Sequence, residues 1–217
     1  MISMNDKVLI VAAHPDDEAI GCAGTIKKLT EQNKSVYLLI ATDGESARED
    51  GADNIKKRNS SLVESSEILG IKDIFNLNLP DNEMDTVPLL SIVKNIENII
   101  LKIKPSVIYT HHHGDLNIDH AILNRATITA CRPIPESTVR DIIAYEVLSS
   151  TEWNINNYFP FLPNYFNDIT DYIDVKRNVL QIYNQEMRKS PHSRSIDNII
   201  NHAKVRGSSV GLEYAEA

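Results

Sequence analysis

Seven histidines occur in this 217-residue chain. Four of them fall within one run, His111-His112-His113-Gly114-Asp115-Leu116-Asn117-Ile118-Asp119-His120, and another opens a second polar cluster, His14-Pro15-Asp16-Asp17-Glu18. Imidazoles mixed with carboxylates are the ligands of a divalent metal site with an open coordination position, and such a site activates water. Adjacent aspartates suit that chemistry for a geometric reason. Successive side chains point in different directions, so one can bind metal while its neighbour takes a proton from the water. An Asp-Asp pair at a strand-to-helix turn more commonly caps the helix. Here the preceding histidine and the second His/Asp cluster outweigh that reading. In the triple-histidine run the side chains splay apart, so His111 is expected to pack or hydrogen-bond at its strand end.

The two clusters need a scaffold that brings them together. Short β-branched runs alternate with longer amphipathic segments through the first two thirds of the chain, the pattern of a parallel sheet with crossover helices. Strands are expected at 7–13, 36–42, 74–79, 106–110 and 141–148, and helices at 18–33, 55–69, 88–104 and 119–131. Gly70 and Pro105 supply two of the helix stops. The fold class is therefore α/β, a three-layer doubly wound (Rossmann-like), mainly parallel sheet with helices on both faces. In such sheets ligands bind beyond the carboxyl ends of the strands. Both polar clusters directly follow expected strands, which puts them on that edge. From 149 to 168 the pattern turns aromatic, Asn- and Pro-rich, a long loop suited to shaping a pocket. A short strand at 171–175 and helices at about 176–188 and 196–205 follow. One domain, 1–217, is expected, with 149–217 shaping the substrate pocket.

Composition narrows the partners. The formal charge is -8, from 22 Lys plus Arg against 30 Asp plus Glu. That balance disfavours nucleic acid or an anionic membrane as the main partner. The apolar run from Val8 to Ala13 is too short for a membrane span and has the wrong flanks for a signal peptide. Cys22 and Cys131 form no CxxC pair, so neither a disulfide framework nor a thiolate zinc site is supported. A cytoplasmic location is the expectation, and the sequence leaves oligomeric state open, a homo-oligomer included. HPDDEAIGCAG does not supply the GxGxxG of a dinucleotide site. A receiver domain would need a lysine ending the fifth strand, where EVLSS stands.

The Ala13 to Glu18 block AHPDDE, with the downstream Asp119-His120 pair, resembles the PIG-L/LmbE-like family of metal-dependent N-deacetylases. Gly21 to Gly24 (GxxG), the Ala41 to Glu45 turn (ATDGE) and an Arg one helix ahead of Leu69-Gly70 extend the resemblance. It implies removal of an acetyl group from an N-acetylated amino sugar, GlcNAc-type and either free or nucleotide-linked. By position it makes His14, Asp17 and His120 the metal ligands and Asp16 the general base. Arg58 matches a residue that contacts substrate, and Asp119 would orient the His120 imidazole. Zinc is the first choice of metal, with ferrous iron suiting the same ligand set.

One departure stands out. Many members of that family carry a histidine three residues before the second ligand histidine, and here that position is Asn117. Asparagine can donate a hydrogen bond to an oxyanion but cannot deliver a proton. Asn117 is therefore expected as an oxyanion donor. His192, in Pro191-His192-Ser193-Arg194-Ser195 between two helices, is the expected general acid, with a plain surface loop capped at Ser195 as the alternative. The competing functional class is a metal-dependent sugar-binding protein with little or no turnover. A phosphoester hydrolase is less favoured, since it would call for a second metal or clustered arginines.

Overall fold

The computed structural model describes residues 7–45, 51–154 and 159–217. Parts of two expected loops, 46–50 and 155–158, lie outside these. Five parallel strands form one sheet in the order β3-β2-β1-β4-β5. They are β1 (Lys7–Ala12), β2 (Ser35–Thr42), β3 (Asp73–Leu79), β4 (Val107–His111) and β5 (Asp141–Tyr145). Between them run α1 (Asp17–Glu31), α2 (Gly51–Leu69), α3 (Leu89–Ile103) and α4 (Ile118–Ala130). The expected doubly wound α/β class is what the chain adopts.

The layers follow from strand periodicity. Alternate side chains of a strand point to opposite faces. On β1, Val8, Ile10 and Ala12 pack with Ile20 and Ile26 of α1, whereas Leu9, Val11 and Ala13 pack with Ile92 and Ile96 of α3 and Leu123 of α4. The central strand is thus apolar on both sides, as a strand covered by helices on two faces must be. The chain reverses its winding between β1 and β4, which lie side by side. Their carboxyl ends carry the two polar clusters and open at the switch point where such folds bind ligands.

β5 ends at Tyr145, short of the expected 148, because its ladder partner β4 ends at His111, paired with Tyr145. The expected strand at 171–175 is instead a 3-10 turn (Thr170–Tyr172) running into α5 (Ile173–Ile182). Asp168 Oδ1 starts that turn by accepting the Thr170 N–H and hydroxyl at 3.0 and 2.7 Å. A short apolar run does not distinguish strand from helix by period. After α6 (Ile196–Ser208), β7 (Ala215–Glu216) pairs antiparallel with β6 (Asn167–Asp168).

This small sheet delivers Glu216 to α1. Its carboxylate accepts the Gly24 and Thr25 N–H groups at 3.0 and 2.7 Å and pairs with Lys176 Nζ at 2.6 Å. Lys176 Nζ also donates to Ile20 O at 2.7 Å. The ion pair thus bonds to backbone groups of α1 itself, the Gly24 N–H and the Ile20 C=O. Gly24 allows the approach of the neighbouring segment, since a Cβ there would lie 2.7 Å from Ile169 Cβ. The pair is buried, and removing one partner of a buried pair costs about 3–5 kcal/mol. Glu216→Ala is therefore expected to lower the melting temperature by about 10 °C, and Glu216→Ala combined with Lys176→Met to recover part of that loss. Thermal melts of the three proteins measure it.

Glu146, after β5, holds α6 through a two-pronged pair with Arg206, both at 2.7 Å, and through His202 at 2.8 Å. Burial pushes its carboxyl up, but Arg206 and His202 outweigh that and hold it below the usual carboxylate range. A group depressed on folding stabilises above its unfolded range and loses that contribution as pH falls through its folded value. Glu146→Gln should thus show a shallower loss of stability on acidification than the native chain, measured as melting temperature against pH.

Candidate active site

β1 ends in a turn that aims its side chains at one point. Asp17 Oδ2 accepts the His14 N–H at 2.8 Å, which folds the carboxylate back toward the His14 ring. Three atoms then face one another: His14 Nδ1 and Asp17 Oδ2 at 3.3 Å, His120 Nε2 and Asp17 Oδ2 at 3.3 Å, and His120 Nε2 and His14 Nδ1 at 3.3 Å. The far nitrogen of each ring faces carboxylate. His14 Nε2 lies 3.2 Å from Asp119 and 3.3 Å from Asp81, and His120 Nδ1 lies 3.2 Å from Asp115. Those acceptors put the ring protons on the outer nitrogens and leave lone pairs turned inward. An equilateral triangle of lone pairs is repulsive without a cation at its centre. Its edge matches the ~3.3–3.4 Å separation of ligands in a tetrahedron with bonds of about 2.0–2.1 Å, so the donor set fits a divalent ion.

Electrostatics agree. Burial lowers both imidazoles, but Asp119, Asp17 and Asp81 bring His14 well above its ordinary value, and Asp17 and Asp115 bring His120 to about 9. Burial raises Asp17, yet His120 and His111 hold it well below the carboxylate range. Carboxylates that surround the triangle favour positive charge inside it. His111 supports rather than joins the group. Its ring stacks on His120 at 3.8 Å between centroids, its Nε2 accepts the Ala13 N–H at 2.9 Å, and burial with the neighbouring His120 lowers it to about 3.

Asp16 sits beside the triangle in an uncommon conformation, with φ 137°. Such a backbone costs about 1–3 kcal/mol and persists only where neighbours enforce it. Glu18 accepts the Asp16 N–H at 3.0 Å and is itself held by the Tyr183 hydroxyl at 2.6 Å. Arg58 Nη2 lies 3.2 Å from Asp16 Oδ1, and Arg194 Nη1 lies 3.3 Å from Asp16 Oδ2. Neither aspartate caps α1: Asp16 occupies the cap position without a side-chain bond, and Asp17 turns to His14. Burial raises the Asp16 carboxyl above its ordinary value, against the lowering by Arg58 and Arg194. A carboxylate shifted upward and buried beside a cation site is suited to accept a proton.

The other expected site residues are placed as follows. Arg58 is only 6 % exposed, neither a solvated helix-face cation nor a free anchor. Its Nε donates to Pro15 O at 2.9 Å, and its Nη1 donates to Gly44 O at 2.6 Å and pairs with Glu45 at 2.9 Å and Glu186 at 3.3 Å. Gly44, with φ 71°, leaves room for it, as a Cβ there would lie 2.7 Å from Arg58 Cζ. Asp119 faces His14 and not His120, a correction to the expected pairing. It is anchored by the Asn82 and Met84 N–H groups at 2.8 and 3.1 Å, which turn its carboxylate toward β1. The His120 partner is Asp115, which also accepts the Thr151 hydroxyl at 2.6 Å. Asn117 caps α4: its Oδ1 accepts the Asp119 and His120 N–H groups at 2.9 and 3.4 Å, and its Nδ2 donates to Asn82 at 3.3 Å. His192 lies half-buried, its Nδ1 accepting the Arg194 N–H at 3.0 Å. Sequence reasoning missed Asp81, Asp115, Glu186 and the part of Arg194. Asp81 follows a strand end and was open to the same topological argument as His14. Glu186 carried no local signal.

The His14/Asp17/His120 triangle and the Asp16 carboxylate thus stand together at the switch point of a parallel α/β sheet. The family profile described as PIG-L, GlcNAc-PI de-N-acetylase, matches residues 9–131. Diacetylchitobiose deacetylase of Thermococcus kodakarensis is 30 % identical over 225 residues, covering 97 % of this chain and 81 % of that protein. A probable N-acetyl-alpha-D-glucosaminyl L-malate deacetylase 2 of Bacillus cereus is 30 % identical over 186 residues, 82 % of each chain. The solved structure of N,N'-diacetylchitobiose deacetylase from Pyrococcus horikoshii, complexed with its inhibitor MPG, superposes with a TM-score of 0.80. At 24 % identity, over 98 % of this chain and 82 % of that one, it is a likeness of fold. The chain belongs to the PIG-L family and is an N-deacetylase.

Two substitutions test the ligand geometry. Asp17→Ala removes the oxygen common to two edges of the triangle and should abolish stoichiometric metal binding, whereas Asp115→Asn, which only loosens the His120 ring, should weaken it by about 10–100-fold. Metal content after dialysis against graded chelator reads both. Full occupancy in Asp17→Ala overturns the assignment.

Proposed function

We propose that this protein removes the acetyl group from a GlcNAc-type sugar, using a divalent metal, zinc foremost, held by His14, Asp17 and His120. The observation that carries the reading is the triangle of inward lone pairs with the two-arginine clamp on Asp16 beside it. When bound, the metal supplies a Lewis acid and a water of lowered pKa. Asp16 takes the proton that the attacking water loses. Arg58 and Arg194 fix its two oxygens, so the carboxylate meets that water in one orientation and with little reorganisation. Arg58 thus acts on the substrate through Asp16. Asn117 holds the first turn of α4 and so sets the backbone of His120; its remaining amide hydrogen is the donor left for an oxyanion. His192 returns a proton to the leaving amine. That step needs the imidazolium, so the His192 Nδ1 must release the Arg194 N–H that it accepts in the neutral ring. Segment 149–217 belongs to the same domain and shapes the pocket, which is supported by Arg194 reaching Asp16 and by Ser150 lying 3.3 Å from His120 Nδ1.

Among the described residues no helix is long and apolar enough to cross a membrane. Cys22 and Cys131 are free and buried, which supports a reducing, cytoplasmic setting.

Acetate release from N-acetylglucosamine, its disaccharide and its nucleotide-linked form, with metal present and after chelation, tests the reading. Metal-dependent release from at least one is expected. Asp16→Asn should keep the metal and lose roughly 10²-fold or more in kcat, and His192→Ala should lower kcat with metal content unchanged. Sugar binding without acetate release at full metal loading would replace the enzyme by a binding protein.

A further inference from the structure

Asp115, the carboxylate behind His120, is fixed from two parts of the chain. Its Oδ1 accepts the Asn117 N–H at 2.9 Å, a bond within its own loop. Its Oδ2, the oxygen 3.2 Å from His120 Nδ1, accepts the Thr151 hydroxyl at 2.6 Å and the Ser150 hydroxyl at 3.0 Å. Both hydroxyls come from the turn that follows β5, beyond the residues 9–131 of the family match. That turn aims Thr151. The Val147 N–H donates to Thr151 Oγ1 at 2.8 Å, which occupies a lone pair of that oxygen and leaves its hydrogen to Asp115. Ser150 Oγ also lies 3.3 Å from His120 Nδ1 itself. Two backbone bonds close the turn, from the Ser150 and Thr151 N–H groups to Val147 O at 3.3 and 3.0 Å. Ser149 within it has φ 70°, a conformation that residues other than glycine seldom adopt. Asp115, His120, Ser150 and Thr151 are all buried.

A chain of donors thus runs from the Val147 backbone through Thr151 and Asp115 to the His120 ring. Hydrogen bonds in series polarise and orient one another, and a metal-binding imidazole takes its ring plane and tautomer from the acceptor behind it. We propose that Thr151, assisted by Ser150, is a positioning residue for the metal ligand His120. The two hydroxyls hold the Asp115 carboxylate where it keeps the His120 proton on Nδ1 and the Nε2 lone pair turned toward His14 and Asp17. The inference rests on the reading of His14, Asp17 and His120 as ligands. Thr151 acts through Asp115 and not on the ion. Metal affinity is therefore set in part by a turn outside the segment that carries the ligands.

Zinc affinity of the full-length chain, read by competition with a chromophoric chelator, tests this. Thr151→Val keeps the shape, removes the hydroxyl and should weaken zinc about tenfold, and Thr151→Ser should restore most of the loss. Ser150→Ala should lose less, in the same direction. Because Thr151 acts through Asp115, Thr151→Val added to Asp115→Asn should weaken zinc no further than Asp115→Asn alone. Melting curves of the metal-free variants separate folding from affinity. Where Thr151→Val does not fold, Ser150→Ala is read in its place, since it leaves the Val147 bond to Thr151 intact. Native affinity in the variant read, or losses that add in the double variant, overturns the positioning role and leaves the ligand reading standing. A native chain that holds no stoichiometric zinc overturns the ligand reading itself, and the inference with it.

Discussion

Buried negative charge is the constraint on which this structure turns. Asp16, Asp17, Glu18, Glu45, Asp81, Asp115, Asp119 and Glu186 are all buried within one connected region. Isolated, each would cost several kcal/mol and would take up a proton rather than remain charged. The chain offers compensation in two places. Arg58 and Arg194 meet Asp16, and Arg58 also meets Glu45 and Glu186. His14 and His120 meet Asp17, Asp81, Asp115 and Asp119, and Glu18 is held by the Tyr183 hydroxyl and the Asp16 N–H. The inward atoms of His14, Asp17 and His120 thus form a donor set of the kind that suits a divalent ion. The same excess keeps Asp16 distinct from Asp17. One carboxylate is turned to imidazoles and stays ionised, while its neighbour is turned to guanidiniums and buried enough to accept a proton. Two identical side chains acquire two tasks through what each faces.

The backbone enforces that separation. A regular helix entry at Asp16 would turn its carboxylate back onto the first-turn N–H groups, the ordinary capping arrangement. With φ at 137° that bond is not made, and the side chain swings to the arginines. Glu18 replaces the lost local order by accepting the Asp16 N–H, and Tyr183 from beyond α5 locks Glu18 in turn. Strain next to the reacting atoms is held by hydrogen bonds whose other ends lie far along the chain. Rigidity here is therefore a long-range property, and it depends on the closure of the C-terminal segment.

That dependence explains what the sequence could show. Period-2 and period-3.6 patterns placed all five strands and the first four helices, because each signal is local and burial on both faces of the sheet reinforces it. The two clusters that contain His14, Asp16, Asp17 and His120 were legible through topology, since each follows a strand whose carboxyl end opens on the switch point, and the resemblance to the family singled out these four within them. Partners were less legible. Asp119 was assigned to its neighbour His120, yet the first turn of a helix points adjacent side chains roughly 100° apart, and the structure gives it to His14 while Asp115 reaches back to His120. Only the start of α5 passed for a strand, 173–175 falling in the strand expected at 171–175, because Tyr172, Ile173 and Val175 are aromatic or β-branched, while 176–182 fall in the expected helix. Contacts across more than a hundred residues, such as Arg194 with Asp16 and Glu216 with α1, leave no local trace.

The division of the chain has a functional consequence. The segment matched by the family profile, 9–131, contains every ligand of the triangle, Asp16 and Arg58. Thr151, Glu186, His192 and Arg194 lie outside it. That segment spans the first four of the five parallel strands with α1 to α4, and its geometry is fixed by buried strands that tolerate little change. The later segment supplies one arm of the Asp16 clamp and the surface beside it, built on a loop and two helices with fewer constraints. Loops can vary without disturbing the buried strand ends from which His14 and His111 project. Asp16 takes its partners from both parts of the chain, Arg58 inside the matched segment and Arg194 beyond it, so the two parts meet on one carboxylate.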